Sequence, residues 1–141
     1  MRAIAVATVL LSVASVGSAA AAMADYRWRY RPLLVFADDA AGASLVRQRG
    51  IVAANRAGLA ERDVVVVWVV GTAVMSEFGP GPGQDARALR ARYGVTRGAF
   101  RALLVGKDGG VKLSQAAPLD AGRLFATIDA MPMRRDEVRR K

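Results

Sequence analysis

The sequence predicts one α/β domain built on a mixed central sheet of about four to five strands. Residues 33–37 and 64–70 are continuous apolar runs without alternation, which is typical of strands buried on both faces of a sheet. A helical segment separates them, so the three elements form a βαβ unit. A further apolar run, residues 101–106, leads into residues 107–110, KDGG, whose Asp-Gly step indicates a β-hairpin that returns along residues 111–114. A short helix before this hairpin and a C-terminal helix after it complete the predicted order.

Residues 25–31, DYRWRYR, alternate aromatic side chains with arginines. This pattern predicts a half-buried edge strand that ends at Pro32, with the rings on one face and the guanidinium groups on the other. The functional alternative is a site for single-stranded nucleic acid, in which bases stack on the rings and arginines contact phosphates. We favour the edge strand because alternation is the usual signature of a half-buried strand.

The first helix is expected to begin at Ser44, a suitable N-cap, and to run to about Ala57, where Gly58 would end it. Residues 71–83 contain two Gly-Pro steps and are predicted to form a loop without regular structure. This loop has no lysine followed by serine or threonine, which excludes a phosphate-binding P-loop.

Two further helices are predicted in the second half of the chain. Residues 84–91 form the first, which Tyr93-Gly94-Val95 would close. Pro118 is expected in the first turn of the C-terminal helix, and Pro132 is expected to end it. Residues 134–141 would then form a basic tail with a frayed end.

The first 24 residues predict a secretory signal peptide. Arg2 supplies a positive charge, residues 3–17 supply an apolar stretch, and Ala22-Met23-Ala24 supplies a site at which cleavage would expose Asp25. The alternative is a membrane anchor, since residues 3–24 carry no charge. Cleavage is favoured because alanine, serine, glycine and valine insert weakly into a bilayer. We therefore expect a periplasmic or secreted domain of residues 25–141, and membrane association only if the segment is uncleaved.

The chain contains no cysteine and no histidine. It therefore has no disulfide, no thiolate nucleophile and no imidazole base or metal ligand. Asp38 and Asp39 are adjacent carboxylates, which fall far short of a calcium shell. We expect no metal, no cofactor and no catalytic constellation, which argues against an enzyme. Without Arg2, 20 of the 21 basic side chains remain against 12 acidic ones, and the resulting charge of +8 favours an anionic partner.

Residues 93–112, YGVTRGAFRALLVGKDGGVK, resemble the second half of thioredoxins and peroxiredoxins, where a similar Tyr-Gly-Val precedes a strand and a Lys-Asp-Gly turn. This resemblance implies a thioredoxin-like fold for the predicted order of elements. Redox-active relatives carry a cysteine after the first central strand, whereas residues 37–44 read ADDAAGAS. Peroxiredoxins place an arginine at the start of the third strand, and Arg101 resembles it in position. Without a thiolate, Arg101 would be at most an anion contact, and a surface ion pair is the structural alternative.

A second resemblance covers nearly all of residues 25–141. Residues 61–66, 106–113 and 128–137 together are similar to the bacterial family called domain of unknown function 4174, the prokaryotic branch of the DUDES domain. The animal relatives of that family are extracellular-matrix and sushi-repeat proteins. The resemblance implies a thioredoxin-like fold without an assigned activity, so it transfers no catalytic residue. Its most distinctive part here comprises Asp129, Met131, Pro132, Met133, Arg134 and Arg135.

Four basic residues are candidate contacts for an anion or a protein partner: Arg101, Lys107, Arg134 and Arg135. If the fold brings them together, they would form an anion site. The structural alternative is that Arg134 and Arg135 reach back to the carbonyl end of the last helix, where cations are favoured.

Three functions are therefore open. The first is a non-catalytic binding module for an anionic envelope component or a protein. The second is an oxidoreductase-like enzyme that acts without a thiol of its own. The third is binding of single-stranded nucleic acid, which export makes the least favoured partner.

Overall fold

The computed structural model describes residues 23–141, and most of the predicted signal peptide, residues 1–22, lies outside the described residues. Within that part of the chain, strands occupy the predicted apolar runs, and helices lie between and after them. Their bounds are β1 Arg31–Ala37, α1 Ala43–Ala54, α2 Arg56–Glu61, β2 Val64–Val70, β3 Ala73–Glu77, α3 Ala86–Tyr93, β4 Arg101–Val105, β5 Val111–Gln115, α4 Ala121–Asp129 and α5 Pro132–Arg139.

The five strands form one mixed sheet in the order β3-β2-β1-β4-β5. Strands β1 and β2 are parallel, and every other neighbouring pair is antiparallel. The βαβ unit and the helix before the β4–β5 hairpin stand where they were predicted, and two helices follow the hairpin where one was predicted, so the predicted α/β class is confirmed. This arrangement is consistent with the thioredoxin-like layout.

Both faces of the central strands are buried, because helices cover the sheet on each side. Leu33 and Val35 of β1 face one apolar layer, whereas Leu34 and Phe36 face the other. The first layer is completed by side chains of α1, α2 and α4, namely Leu45, Val52, Leu59, Leu124 and Ile128. The second layer is completed by α3 and the N-terminal turn, namely Leu89, Met23 and Tyr26. Between residues 23 and 141, no helix has the length and apolar character needed to cross a bilayer.

The prediction of an edge strand over residues 25–31 is wrong. Residues 25–29 form a turn, in which Trp28 has a positive φ of 67°. Tyr26 is buried and Trp28 is exposed, so the rings do not share one face. Pro32 does not end the segment but lies inside β1. Arg31, Pro32 and Leu33 all pair with β2, and Leu33 also pairs with β4.

The first helix also differs from the prediction. Gly42, rather than Ser44, is its N-cap, and it ends at Ala54, where Asn55 separates it from the short helix α2. Gly58 does not end a helix but lies within α2. A Cβ atom at Gly58 would lie only 2.7 Å from the Phe125 ring, so the glycine allows α2 to pack closely against α4.

The predicted loop over residues 71–83 contains the strand β3. Gly71 has a φ of 58°, and this left-handed conformation lets the chain reverse and pair β3 antiparallel to β2. The Gly-Pro steps lie after the strand, within residues 78–83, which have no regular structure.

The prediction for α3 is close, since Asp85 caps its start and Gly94, with a φ of 65°, ends it. The C-terminal prediction needs two corrections. Helix α4 begins after Asp120, whose side chain accepts a hydrogen bond from the N–H of Arg123. Pro132 does not end a helix but starts α5 at its first turn, where a missing N–H costs nothing. Residues 132–139 are therefore a packed helix rather than a frayed tail.

Candidate functional site

Eight charged side chains meet where the start of β1, the α2–β2 turn, the hairpin turn and helix α5 come together. We call this set the charge cluster. Four of its members are cations and four are anions, so their formal charges cancel: Arg31, Arg62, Lys107 and Arg134 against Glu61, Asp63, Asp129 and Glu137.

Glu137 of α5 lies at the centre of the charge cluster. Its two carboxylate oxygens accept hydrogen bonds from Arg31 at 3.1 and 3.3 Å, and Oε1 also accepts one from Lys107 Nζ at 2.6 Å. Arg31 is fully buried and donates a third hydrogen bond, of 2.9 Å, to the backbone carbonyl of Arg62. Helix α5 is therefore attached to the first strand through one carboxylate.

Lys107 occupies the turn between β4 and β5 and is also buried. Besides Glu137, it donates to Asp63 Oδ2 at 2.8 Å. Asp63 has a positive φ of 54°, a conformation that aspartate tolerates better than most residues. The backbone carbonyl of Asp63 accepts a hydrogen bond from the Arg31 N–H at 2.8 Å, so this residue fixes both the strand start and the lysine.

The outer half of the charge cluster is held by Arg62 and Arg134. Arg62 forms two parallel hydrogen bonds to Asp129, of 2.9 and 3.0 Å, and lies over the ring of Phe125. Buried Arg134 donates to Glu61 at 3.1 Å, and its Nε lies 3.5 Å from Asp129 Oδ1. These contacts fasten α4 and α5 to α2.

The electrostatics agree with this geometry. The hydrogen bonds from Arg62 lower the pKa of Asp129, and the same pairing raises the pKa of Arg62. Burial alone would raise the pKa of Glu137, but the hydrogen bonds from Lys107 and Arg31 outweigh it, so that the pKa lies below its usual value. Both carboxylates are therefore ionised at neutral pH and compensate the buried cations.

The four predicted anion contacts do not converge on one open site. Lys107 and Arg134 both lie beside Glu137 and are engaged by carboxylates of the chain. Arg135 is exposed on the same helix, next to the charge cluster. Arg101 begins β4 and donates to Ser114 Oγ at 2.9 Å instead of joining the other three.

A second basic site lies at the carboxyl ends of β1 and β2, where the sequence analysis singled out none of its arginines. A cavity of about 480 Å³ is lined by Thr72, Asp85, Ala86, Arg87, Arg90, Val95 and Arg97, and we call it the arginine cavity. Buried Arg90 donates to the carbonyls of Gly71 and Ala37 at 2.6 and 3.2 Å. The periodicity of α3 could have indicated this burial, since Arg90 follows Ala86 by four residues on the same helix face.

A scan against protein-family models gives one match, described as Domain of unknown function (DUF4174), over residues 22–137. The chain belongs to this family. No curated protein and no solved structure matched it.

The run most distinctive of the DUF4174 resemblance has a structural explanation in this chain. Asp129 ends α4 and bridges Arg62 and Arg134, while Met131 is the N-cap of α5 and Pro132 its first residue. Met131 packs against the first apolar layer. Met133 is half-buried in the first turn of α5. Arg134 does not cap the preceding helix, because its guanidinium group binds Glu61.

The loop that follows β1 in this DUF4174 chain lines a shallow cavity of about 260 Å³. Asp39 Oδ1 accepts a hydrogen bond from the N–H of Ala41, which shapes the loop. Asp38 Oδ1 accepts one from Arg97 Nε at 3.2 Å and lies 3.6 Å from Arg90 Nη2. Neither aspartate is aligned with a base or a nucleophile, and residues 23–141 hold no group of three or more acidic side chains that could bind a metal ion.

Proposed function

We propose that the protein is a non-catalytic binding module whose partner is an acidic protein segment. One observation carries this proposal. The charge cluster neutralises its own four cations, so the positive charge of the domain is left to exposed arginines outside it. At the edge of the cluster is a shallow groove of about 520 Å³, which we call the basic groove. It is lined by three cluster members, Arg62, Asp129 and Arg134, and by Arg135, Val138 and Arg139.

The basic groove has the features that favour binding over chemistry. Arg135 is exposed, and no carboxylate between residues 23 and 141 lies within ion-pair distance of it. Within residues 23–141, Arg139 forms an ion pair with Asp136 alone. Val138, another residue of the groove, is 53% exposed and apolar. An acidic partner would therefore gain ion pairs with arginines and a small apolar contact.

We also propose that the domain acts outside the cytoplasm and descends from thioredoxin-like proteins that lost their thiol. The signal-like pattern of residues 1–24 supports export, and the order of strands supports the ancestry. Met23 is buried in the second apolar layer. Cleavage after Ala24 would remove this core side chain, and this counts against cleavage at that exact bond. N-terminal sequencing of protein from the periplasmic fraction tests this site. Recovery of the intact N-terminus in the membrane fraction would instead indicate an anchor.

The proposed binding can be tested with a fluorescent poly-glutamate peptide of twenty residues. Fluorescence anisotropy should show saturable binding that weakens as salt is raised. Arg135→Glu should weaken it about tenfold, because one attractive charge becomes repulsive. Arg47→Glu is the matched control, since Arg47 is also an exposed helical arginine without a hydrogen bond or ion pair within residues 23–141. It should change the affinity less than about twofold by the same principle.

Two results would contradict the proposal. Equal effects of Arg135→Glu and Arg47→Glu would show that only net charge matters, without a groove. Reduction of insulin or consumption of peroxide above a heat-killed control would favour the oxidoreductase-like alternative. The nucleic-acid alternative has less support than the sequence suggested, because Tyr26 is buried and donates a hydrogen bond to the carbonyl of Pro80 at 2.6 Å, although Trp28 remains exposed.

A further inference from the structure

We propose that the arginine cavity binds the carboxylate group of a small amphipathic anion. This site is separate from the basic groove and does not depend on the function proposed above. It lies beyond the carboxyl ends of the parallel strands β1 and β2, since the Arg90 guanidinium group binds the carbonyls of the residues at those ends. Open α/β sheets most often place ligands in the crevice outside these strand ends.

The cationic wall of the arginine cavity is fixed before any ligand arrives. Arg90 is only 6% exposed and is held by two backbone carbonyls, and its Nε has no hydrogen-bond partner within residues 23–141. Arg97 is held by Asp38 through its Nε. A buried N–H donor without a partner, such as Arg90 Nε, raises the free energy of the empty protein. The negative charge of an anion in the cavity would attract the guanidinium group and offset part of that cost.

The third arginine is free to move onto a ligand. Arg87 is exposed in the first turn of α3, and no hydrogen bond or ion pair to a residue of the described chain holds it. Asp85 is the acidic residue of the lining, and its Oδ1 is engaged by the N–H of Ala88. The lining therefore keeps a formal charge of +2, or +1 when Asp38, which pairs with Arg90 and Arg97, is also counted. The amino end of α3 reinforces this positive charge.

The remaining wall decides the kind of anion. Ala86 and Val95 are buried apolar residues of the lining, and Thr72 adds a hydroxyl and a methyl group. The apolar surface that still faces the cavity is small, so a short hydrocarbon chain is enough to cover it, whereas an inorganic anion would leave it in contact with water. The geometry thus favours a carboxylate on a short apolar body.

Titration of the purified protein with hexanoate tests the proposal, with backbone amide signals followed by NMR. Saturable shifts should centre on Thr72, Arg87, Val95 and Arg97. Arg87→Gln and Arg97→Gln should each weaken binding about tenfold, as expected for a lost charge-assisted hydrogen bond. Arg47→Gln should leave the affinity unchanged, because Arg47 lies on α1 and is not part of the lining of the arginine cavity. Both substituted positions in the cavity are exposed, and unchanged thermal unfolding would show that the variants fold.

The matched ligands are hexanamide, which lacks the charge, and inorganic phosphate, which lacks the apolar body. Weak or absent binding of both would support the proposal. Hexanamide binding as tight as hexanoate would overturn the role of the arginines, and phosphate binding as tight as hexanoate would overturn the assignment to an organic anion. No saturable shift with hexanoate, or equal affinity in the Arg97→Gln variant, would also refute it.

Discussion

Replacing Glu137 with glutamine tests whether the charge cluster holds the domain together. The substitution keeps the shape and one acceptor oxygen but removes the negative charge that compensates buried Arg31. Lys107 would keep Asp63, and Arg134 would keep Glu61, so each of them retains one carboxylate. Arg31 would have no carboxylate left and would keep neutral acceptors, namely the backbone carbonyl of Arg62 and the remaining amide oxygen.

The size of the effect follows from that count of partners. Leaving one member of a buried ion pair uncompensated costs about 3–5 kcal/mol. We expect the lower end, about 3 kcal/mol, because Glu137 is itself partly exposed and glutamine can still accept a hydrogen bond. With a urea dependence of about 2 kcal/mol per molar, the midpoint of unfolding should fall by about 1.5 M.

Fluorescence of Trp68, which is buried in the first apolar layer, can follow the urea transition. Asp136→Asn is the control on the same helix, since Asp136 pairs only with exposed Arg139. It should cost no more than about 0.5 kcal/mol. Arg31→Met should cost less in the Glu137→Gln background than alone, because the two residues are coupled. A loss below about 1 kcal/mol for Glu137→Gln, or one equal to the control, would refute the reasoning.

Three further predictions concern pH and the backbone. The pKa values of Asp129 and Glu137 are lowered on folding, so their contribution to the free energy of unfolding should be complete above about pH 4.3 and be lost as the pH falls further. Glu137→Gln should make the free energy of unfolding, measured by urea titration at a series of pH values, decline less steeply with falling pH. An unchanged decline would contradict this prediction. Gly94→Ala should lower the free energy of unfolding by about 1 kcal/mol, because Gly94 has a φ of 65°, and thermal unfolding unaltered by the change would count against it. Burial raises the pKa of Tyr26 to about 12, so the contribution of Tyr26 to the free energy of unfolding should decline above about pH 10. An ultraviolet titration should show one late-ionising tyrosine that Tyr26→Phe removes. Ionisation of all tyrosines over one pH range would contradict this prediction.

The parts of the fold that the sequence predicted well are those with strong local signals. Residues 64–70 are apolar throughout, and such a run is stable only with both faces covered. Gly94 closes α3 because a left-handed residue is needed there, and glycine meets that need without strain. The hairpin at residues 107–110 follows in the same way from its Asp-Gly step.

The failures have the opposite cause, since the deciding contacts are distant in sequence or the local signal is ambiguous. Strand β3 lies at the sheet edge and is largely exposed, so it has no apolar pattern, and the Gly-Pro steps after it suggested a longer loop. Pro132 can end one helix or begin another, and the chain uses the second option. The alternation in residues 25–31 fits a strand, but the positive φ of Trp28 turns the chain instead.

The candidate site was only partly predictable for a related reason. Lys107 and Arg134 were singled out as cations, but their burial depends on Glu137, which no local pattern marks. Arg31 and Glu137 are 106 positions apart, so neither residue indicates the other in the sequence. Arg90 was missed because it is one of three arginines in α3 and arginines in such a helix are usually solvated, whereas here two carbonyls at the strand ends accept its hydrogen bonds.

The attachment of α5 to Arg31 also bears on when the chain can fold. A nascent chain that has not yet reached Glu137 would have to bury Arg31 without a counter-charge, so we expect the domain to be less stable until that residue has been made. Helix α5 is therefore expected to dock after the sheet and the preceding helices have formed, because its attachment needs both Arg31 and Lys107 in place.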